Sequence, residues 1–230
     1  MNYPYSFLDT NLIKKVMIAT PCNDGKVCLE YALSLCDTIK LCEANGIEIC
    51  PVFLGNESIL QIARNDLIKI AYDAEVDMIW IDADMQWNPA WILELINRDE
   101  DVVGGTARKK TDSEETYAIK ISDFTLHENG LIKCEGIGTA FLKMSKKAID
   151  SIYSSSDVFT HHGKECRNVF ECKVIDGDFY SEDILLCKKL KKLGFDIWLD
   201  LKMTCGHIGN KNYIGDLQNY ITSVPSIQKI

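Results

Sequence analysis

Residues 76–89 read V-D-M-I-W-I-D-A-D-M-Q-W-N-P. Residues 78–81 form a short apolar run with β-branched and aromatic members, the composition of a strand buried on both faces of a sheet. The run ends in two carboxylates. Side chains along an extended strand alternate, so Asp82 and Asp84 are expected to point the same way from its carboxyl end, with Ala83 pointing back. In an open α/β sheet that edge is where ligands bind. Two neighbouring carboxylates repel unless positive charge lies between them, and a divalent metal is the usual solution. Asn88 and Pro89 then supply an N-cap and a first helical residue for a helix carrying Trp91, Ile92, Leu95 and Ile96.

A bare D-x-D triplet is weak evidence, since a chain of this length and composition holds roughly two by chance. This chain has three, so context must choose among them. Asp99-Glu100-Asp101 follows a helix in a polar turn, and Asp176-Gly177-Asp178 reads as a loop. The latter also fails as a calcium loop, because Tyr180 stands at the next alternate position and the required glycine is missing. Only Asp82-Ala83-Asp84 follows a buried strand.

With 230 residues the chain is long enough for one large domain with a substantial core. A net charge of −9 argues against a general nucleic-acid binder, which needs a basic face, but leaves room for a phosphorylated substrate if a metal or local cations supply the field. The first fifteen residues lack a basic segment leading into an apolar run, and no apolar stretch is long enough to span a bilayer. The expectation is a soluble protein of the cytoplasm. The ten cysteines include no C-x-x-C pair, and Cys28, Cys36, Cys42, Cys50 and Cys187 fall at apolar positions of helical or strand patterns, so reduced thiols are expected. His161, His162, Cys166 and Cys172 are four zinc-type ligands within a dozen positions. Their spacing matches no zinc pattern, and a solvated loop is the better reading.

Read in order, residues 15–20 form a first buried strand, and 21–25 the loop leaving its carboxyl end. A helix follows over about 26–44, stopped by Asn45-Gly46, and 47–54 is strand two. Ser58 is the expected N-cap of a second helix, whose apolar face is Ile59, Ile62, Ala63, Leu67 and Ile70. Arg64 lies off that stripe, the position of a solvated arginine. This β-α-β-α-β order implies parallel strands with crossover helices, as in a nucleotide-binding half-sheet. The dinucleotide fingerprint G-x-G-x-x-G is absent.

Residues 101–105 then form a fourth strand whose glycines permit close backbone approach. Arg108, Lys109 and Lys110 follow in a polar run. Such a run is ordinarily a solvated loop, and beside an acidic site it reaches a phosphate or a sugar. Residues 116–121 and 131–134 resemble antiparallel strands, 136–142 one more strand, and 145–152 a helix. Residues 154–178 show little periodicity, as a functional loop would. Ser181, Glu182 and Asp183 open a helix to Leu193 that Gly194 stops, which capping alone explains. A strand over 195–200 and the segment 203–210 close the ordered part.

Taken together and in order, Thr20-Pro21 with Asp24-Gly25, Ala63-Arg64-Asn65, Asp82-Ala83-Asp84, Gly136-Ile137-Gly138-Thr139, Ser181-Glu182-Asp183 and Gly206-His207-Ile208-Gly209 resemble GT-A type glycosyltransferases. The likeness is nearest to the small glycosyltransferase domains encoded by phages and large DNA viruses, and covers about residues 15–216. It implies an α/β fold of GT-A type, with a Rossmann-like, mostly parallel central sheet flanked by helices and a smaller antiparallel acceptor-side portion. Residues 1–216 would be one domain, 15–105 its nucleotide-sugar half and 106–216 its acceptor half, with 217–230 a tail. The implied reaction is metal-dependent hexosyl transfer from a nucleoside-diphosphate sugar, UDP-linked, to an acceptor hydroxyl on a glycan, protein or lipid. In a virus this would take place in the host cytoplasm.

The resemblance also implies roles for individual residues. Thr20, Pro21, Asp24, Arg64, Asp82, Ala83 and Gly138 would bind the nucleotide sugar, with Gly136 to Thr139 as the floor under the sugar. Asp82, Asp84 and His207 would hold manganese, with magnesium as the alternative. Asp183 would be the base of an inverting reaction and Glu182 a partner of donor or acceptor. Two other classes compete. A sugar-phosphate nucleotidyltransferase needs a glycine-rich cationic loop after strand one, where residues 21–26 have one glycine. A silent nucleotide-sugar-binding module has no need for Asp84, His207 and Asp183 together.

Overall fold

Val16 and Ile18 face one side of the first strand and Met17 and Ala19 the other, and all four are buried. This double burial places the strand, β1 (Lys14–Cys22), in the middle of a three-layer stack. The computed structural model describes residues 14–112 and 114–223. Residues 1–13, read above as lacking a leader, and 224–230 of the expected tail lie outside the described residues.

After β1 come α1 (Leu29–Ala44), β2 (Ile47–Gly55), α2 (Leu60–Ala74), β3 (Asp77–Ile81), β4 (Met85–Gln86), α3 (Pro89–Asn97) and β5 (Val102–Ala107). Then follow β6 (Ile119–Lys120), β7 (Ile132–Cys134), β8 (Gly136–Ile137), β9 (Phe141–Met144) and α4 (Lys146–Ser155). The last part holds β10 (Val158–His161), β11 (Lys164–Arg167), β12 (Lys173–Ile175), β13 (Asp178–Tyr180), α5 (Glu182–Lys192), β14 (Ile197–Ile208), β15 (Asn212–Tyr213) and α6 (Leu217–Ser223).

The main sheet runs β15-β14-β5-β9-β3-β1-β2. β1 pairs in parallel with β2 and β3, and β14 with β5, while β9 lies antiparallel between β3 and β5. Val16, Ile18, Ile79 and Ile81 pack with Tyr31 of α1 and with Ile92 and Leu95 of α3 on one face. Met17, Ala19, Met78 and Trp80 pack with Leu67 of α2, Ile149 of α4 and Leu186 of α5 on the other. Because β9 runs backwards, its amino end reaches the same edge as the carboxyl ends of β1, β3, β5 and β14. That edge therefore collects residues from every part of the chain.

Several local expectations change. α1 starts at Leu29 rather than near Lys26, with the Cys28 thiol accepting from the Tyr31 N–H at 3.3 Å. Ser58 does not cap α2: Ile59 holds that position without a side-chain cap, and the Glu57 carboxylate takes the Ile59 N–H at 2.9 Å. Residues 136–142 are two strands, β8 and β9, in different sheets. β6 and β7 do not pair with each other; β6 pairs with β8 and β7 with β14. The strand expected over 195–200 continues as β14 to Ile208 through a register shift between Leu199 and Thr204. In the expected tail, α6 buries Leu217 and Ile221 in the core.

The stretch 154–178 is not irregular. It carries the hairpin β10-β11 and leads into β12-β13. His162-Gly163 and Asp176-Gly177 form the turns, all four with positive φ. Such two-residue turns match the twist of the flanking strands.

The bulge in β14 leans over β5. A Cβ on Gly105 would lie 2.1 Å from the Met203 carbonyl oxygen, so only glycine fits there. Gly105→Ala is expected to cost about 3 kcal/mol through forced backbone displacement. Urea unfolding measures this, and an unchanged midpoint would contradict the close approach.

Candidate active site

The turn after β3 is pinned from three sides. The Asp82 N–H donates to the Ala140 carbonyl at 3.3 Å, the Ala83 carbonyl accepts from the Cys28 N–H at 3.0 Å, and the Asp84 carbonyl from the Ile208 N–H at 2.8 Å. The strand itself ends at Ile81, and the Met85 N–H donates to the Asp82 carbonyl at 3.1 Å. Asp82 and Asp84 thus sit on a tight turn rather than on alternate positions of an extended strand. They still share one cleft of about 480 Å³, which Pro21, Asn23, Asp24, Lys26 and Ala83 also line. Thr20 lies beneath it, fully buried, with its hydroxyl 2.5 Å from the Tyr31 hydroxyl.

The two carboxylates have different partners. Arg64 projects from α2 and is buried, its side chain only 4% exposed, contrary to the solvated arginine expected from its position. One guanidinium nitrogen donates to Asp82 Oδ1 at 3.2 Å and the other to Glu182 Oε1 at 2.7 Å. Periodicity places Arg64 off its helix's apolar stripe but cannot reveal that two acids from distant segments close over it. Asp84 Oδ2 instead meets Lys110 Nζ at 2.5 Å and faces His207 Nε2 at 3.5 Å. Burial pushes the Asp84 carboxyl up, and the hydrogen bonds and charges of His207 and Lys110 outweigh this and hold it below the usual range.

A smaller cavity of about 150 Å³ shares Asp82 with the cleft and joins Arg64, Gly138, Thr139, Asp183 and His207. Thr139 Oγ1 and Arg64 Nε are buried with no hydrogen-bond partner among the described residues. Both residues line this cavity, although the two atoms themselves are closed off from solvent. Asp183 stands at the start of α5, and its Oδ1 accepts from its neighbour's N–H, Ile184, at 2.7 Å and from the Ser181 hydroxyl. The Ser181 hydroxyl therefore orients Asp183 instead of capping the helix. Asp183 Oδ2 is 3.5 Å from where a Cβ on Gly138 would be, so the bare glycine leaves that oxygen room. Glu182 lines neither space and is held by Arg64 and the Cys172 thiol.

The His207 side chain tests the fit to a metal. Its Nδ1 lies 2.8 Å from the Arg108 carbonyl oxygen. A carbonyl only accepts, so Nδ1 carries a proton and donates, and Nε2 faces Asp84. This is the outer hydrogen bond that orients a ligating imidazole. Asp84 and His207 form a pair of oxygen and imidazole donors that fits manganese or magnesium when phosphates and water fill the remaining positions. No cluster of three or more acidic, histidine or cysteine side chains placed to hold a metal occurs among the described residues. Asp82, bound to Arg64, thus stands apart from the pair. The four zinc-type residues form no metal-holding cluster among the described residues: Cys166 lies 4.0 Å from Asp66, whereas Cys172 contacts Gln61 and Glu182.

Asp101 has a similarly held carboxyl away from the cleft. Burial raises it, but bonds from Lys147 and Ser145, each 2.7 Å, lower it further. For both Asp84 and Asp101 the folded value is depressed, so their stabilisation is present above the unfolded range near about 3.9 and is lost as pH falls through the folded values. Thermal midpoints measured from pH 6 downward should fall across that window. A midpoint that rises with acid would contradict these pairings.

No protein-family model matches the chain, and no curated protein matches it in sequence. Among solved structures it is similar to A197 from STIV, with a TM-score of 0.52 and 15% identity over 85% of this chain and 86% of that one. The likeness is one of fold. Looser similarities are to the UTP-bound UGPase from Acinetobacter baumannii (TM-score 0.46, 9% identity, 94% and 96% covered) and to a glycosyltransferase involved in glycosylation of the major capsid of PBCV-1 (TM-score 0.34, 14% identity, 59% and 62% covered). The chain has the mixed α/β architecture expected of it, a largely parallel sheet between helical layers with antiparallel additions on its second half. Among the described residues no helix is long and apolar enough to cross a membrane.

Proposed function

We propose that this chain is a metal-dependent glycosyltransferase, moving a sugar from a nucleoside-diphosphate sugar, with UDP as the nucleotide, to an acceptor hydroxyl with inversion at the anomeric carbon. The observation that carries this reading is the small cavity where Asp82, Asp183 and His207 meet beside a larger cleft. These residues come from three distant segments, and the fold brings them to one edge.

In this reading the larger cleft takes the nucleotide between the 21–26 loop and the Asp82–Asp84 turn. The sugar extends past Asp82 into the smaller cavity, which Arg64 and Thr139 help to line. Asp183 uses Oδ1 for orientation and keeps Oδ2 for the acceptor hydroxyl, whose proton it takes as oxygen attacks the anomeric carbon. Arg64 ties Asp82 to Glu182, the residue next to Asp183, so the turn after β3 and the start of α5 are held together. Asp84 and His207 would hold a divalent ion, which supplies charge to stabilise the departing diphosphate.

The test is incubation with a panel of UDP- and GDP-linked sugars plus manganese, following release of the free nucleoside diphosphate. Release from one donor, lost on chelation, is expected. Absence of release from every donor, with and without candidate glycan acceptors, would contradict the assignment.

A further inference from the structure

The Lys110 side chain, one-third exposed, folds back to the rim of the cleft. Its ammonium reaches Asp84 Oδ2 at 2.5 Å, and its stem lies over Gly209, where a Cβ would come within 3.2 Å of Lys110 Cδ. The backbone beside it is tied down, with the Lys109 N–H donating to the Thr116 carbonyl at 2.8 Å and the Thr111 N–H to the Lys109 carbonyl at 2.8 Å. The same Asp84 oxygen faces His207 Nε2. Thus the cation of the chain occupies the carboxylate oxygen that a divalent ion shared with His207 would need.

Resting on the transferase reading, we propose that Lys110 is an exchangeable counter-cation that neutralises Asp84 in the metal-free protein and competes with the divalent ion for the same oxygen. Two positive charges cannot share that oxygen at short range without strong repulsion, so loading the ion displaces the ammonium. A diphosphate arriving with the ion gives the displaced ammonium a new anionic partner. Metal and nucleotide therefore bind with positive coupling, each strengthening the other by the same factor. Lys110 is the residue that sets this coupling.

The experiment titrates Mn²⁺ alone into wild-type protein, Lys110→Met and Lys110→Arg, reading free Mn²⁺ by electron paramagnetic resonance, and repeats each titration with UDP. Lys110→Met should bind Mn²⁺ about three- to fivefold more tightly than wild type, with a smaller further gain from UDP. Lys110→Arg, which keeps the charge, should stay near wild type. Adding Asp84→Asn to Lys110→Met should remove the gain. The exposed pair contributes little to folding, so thermal midpoints should stay within about 2 °C. Unchanged or weaker Mn²⁺ binding in Lys110→Met, or a gain that survives Asp84→Asn, would overturn the proposal. Failure of the transferase reading shows separately, as wild-type protein that binds no UDP at any Mn²⁺ concentration.

Discussion

Asp183→Asn is expected to lower the turnover of sugar transfer by about 10²- to 10⁴-fold while leaving nucleotide affinity unchanged. The amide has the shape of the carboxylate, and its oxygen can still accept from the Ile184 N–H, which reaches Oδ1 at 2.7 Å in the wild type. What it loses is the ability of the second oxygen to take a proton. That oxygen faces the cavity beside Gly138, away from the nucleotide cleft, so a loss confined to kcat is the expected signature. Steady-state rates and calorimetry on the same preparation separate the two parameters. Near-wild-type turnover in Asp183→Asn would remove this residue from the chemistry and leave its contacts with Ser181 and Ile184 as its role.

Arg64→Met is expected to destabilise the fold strongly. Arg64 is almost wholly enclosed, and its two partners, Asp82 and Glu182, are 30% and 14% exposed. Removing the shared cation leaves both acids in a partly desolvated site, a loss of about 3–5 kcal/mol for a buried pair. Asp82 retains water access, so the lower end of that range applies, equivalent to a fall of about 10 °C in the thermal midpoint for a chain of this size. Donor binding should weaken as well, since Asp82 loses the partner that orients it. The double variant Arg64→Met/Glu182→Gln should recover part of the stability, because one stranded charge is gone. A shift below about 2 °C in Arg64→Met would mean that the ion pairs do not support the fold.

The first half of the fold was readable because its signals are local. Continuous apolar runs in β1 and β3, helical spacing in α1 and α2, and Asn88-Pro89 at the start of α3 each rest on residues close in sequence. Asp82 and Asp84 were legible as a cleft pair for the same reason, although their geometry is a turn. The second half depends on contacts between distant segments. β8 and β9 look continuous in sequence, yet one pairs with β6 and the other with β3 and β5. The β14 bulge carries His207 to Asp84, and no local pattern announces it. The hairpins before α5 did leave a trace in Asp176-Gly177, a turn dipeptide between short runs of strand-forming residues.

The site divides in the same way. Context singled out Asp82 and Asp84, while Asp183 and His207 entered only through the resemblance to a family, and charge pairing had to come from the tertiary structure. Arg64 reads as a solvated residue until Asp82 and Glu182 close on it. Lys110 reads as one member of a charged run until its ammonium meets Asp84. Thr139 gains its interest from burial without a partner, a property no spacing encodes.

The most direct test of the account is calorimetric titration of the protein with UDP and with GDP, each in manganese, in magnesium and in chelator, on wild type and Asp84→Asn. The account predicts binding of UDP that manganese strengthens and that Asp84→Asn weakens in manganese. Failure of both nucleotides to bind in any metal would contradict it.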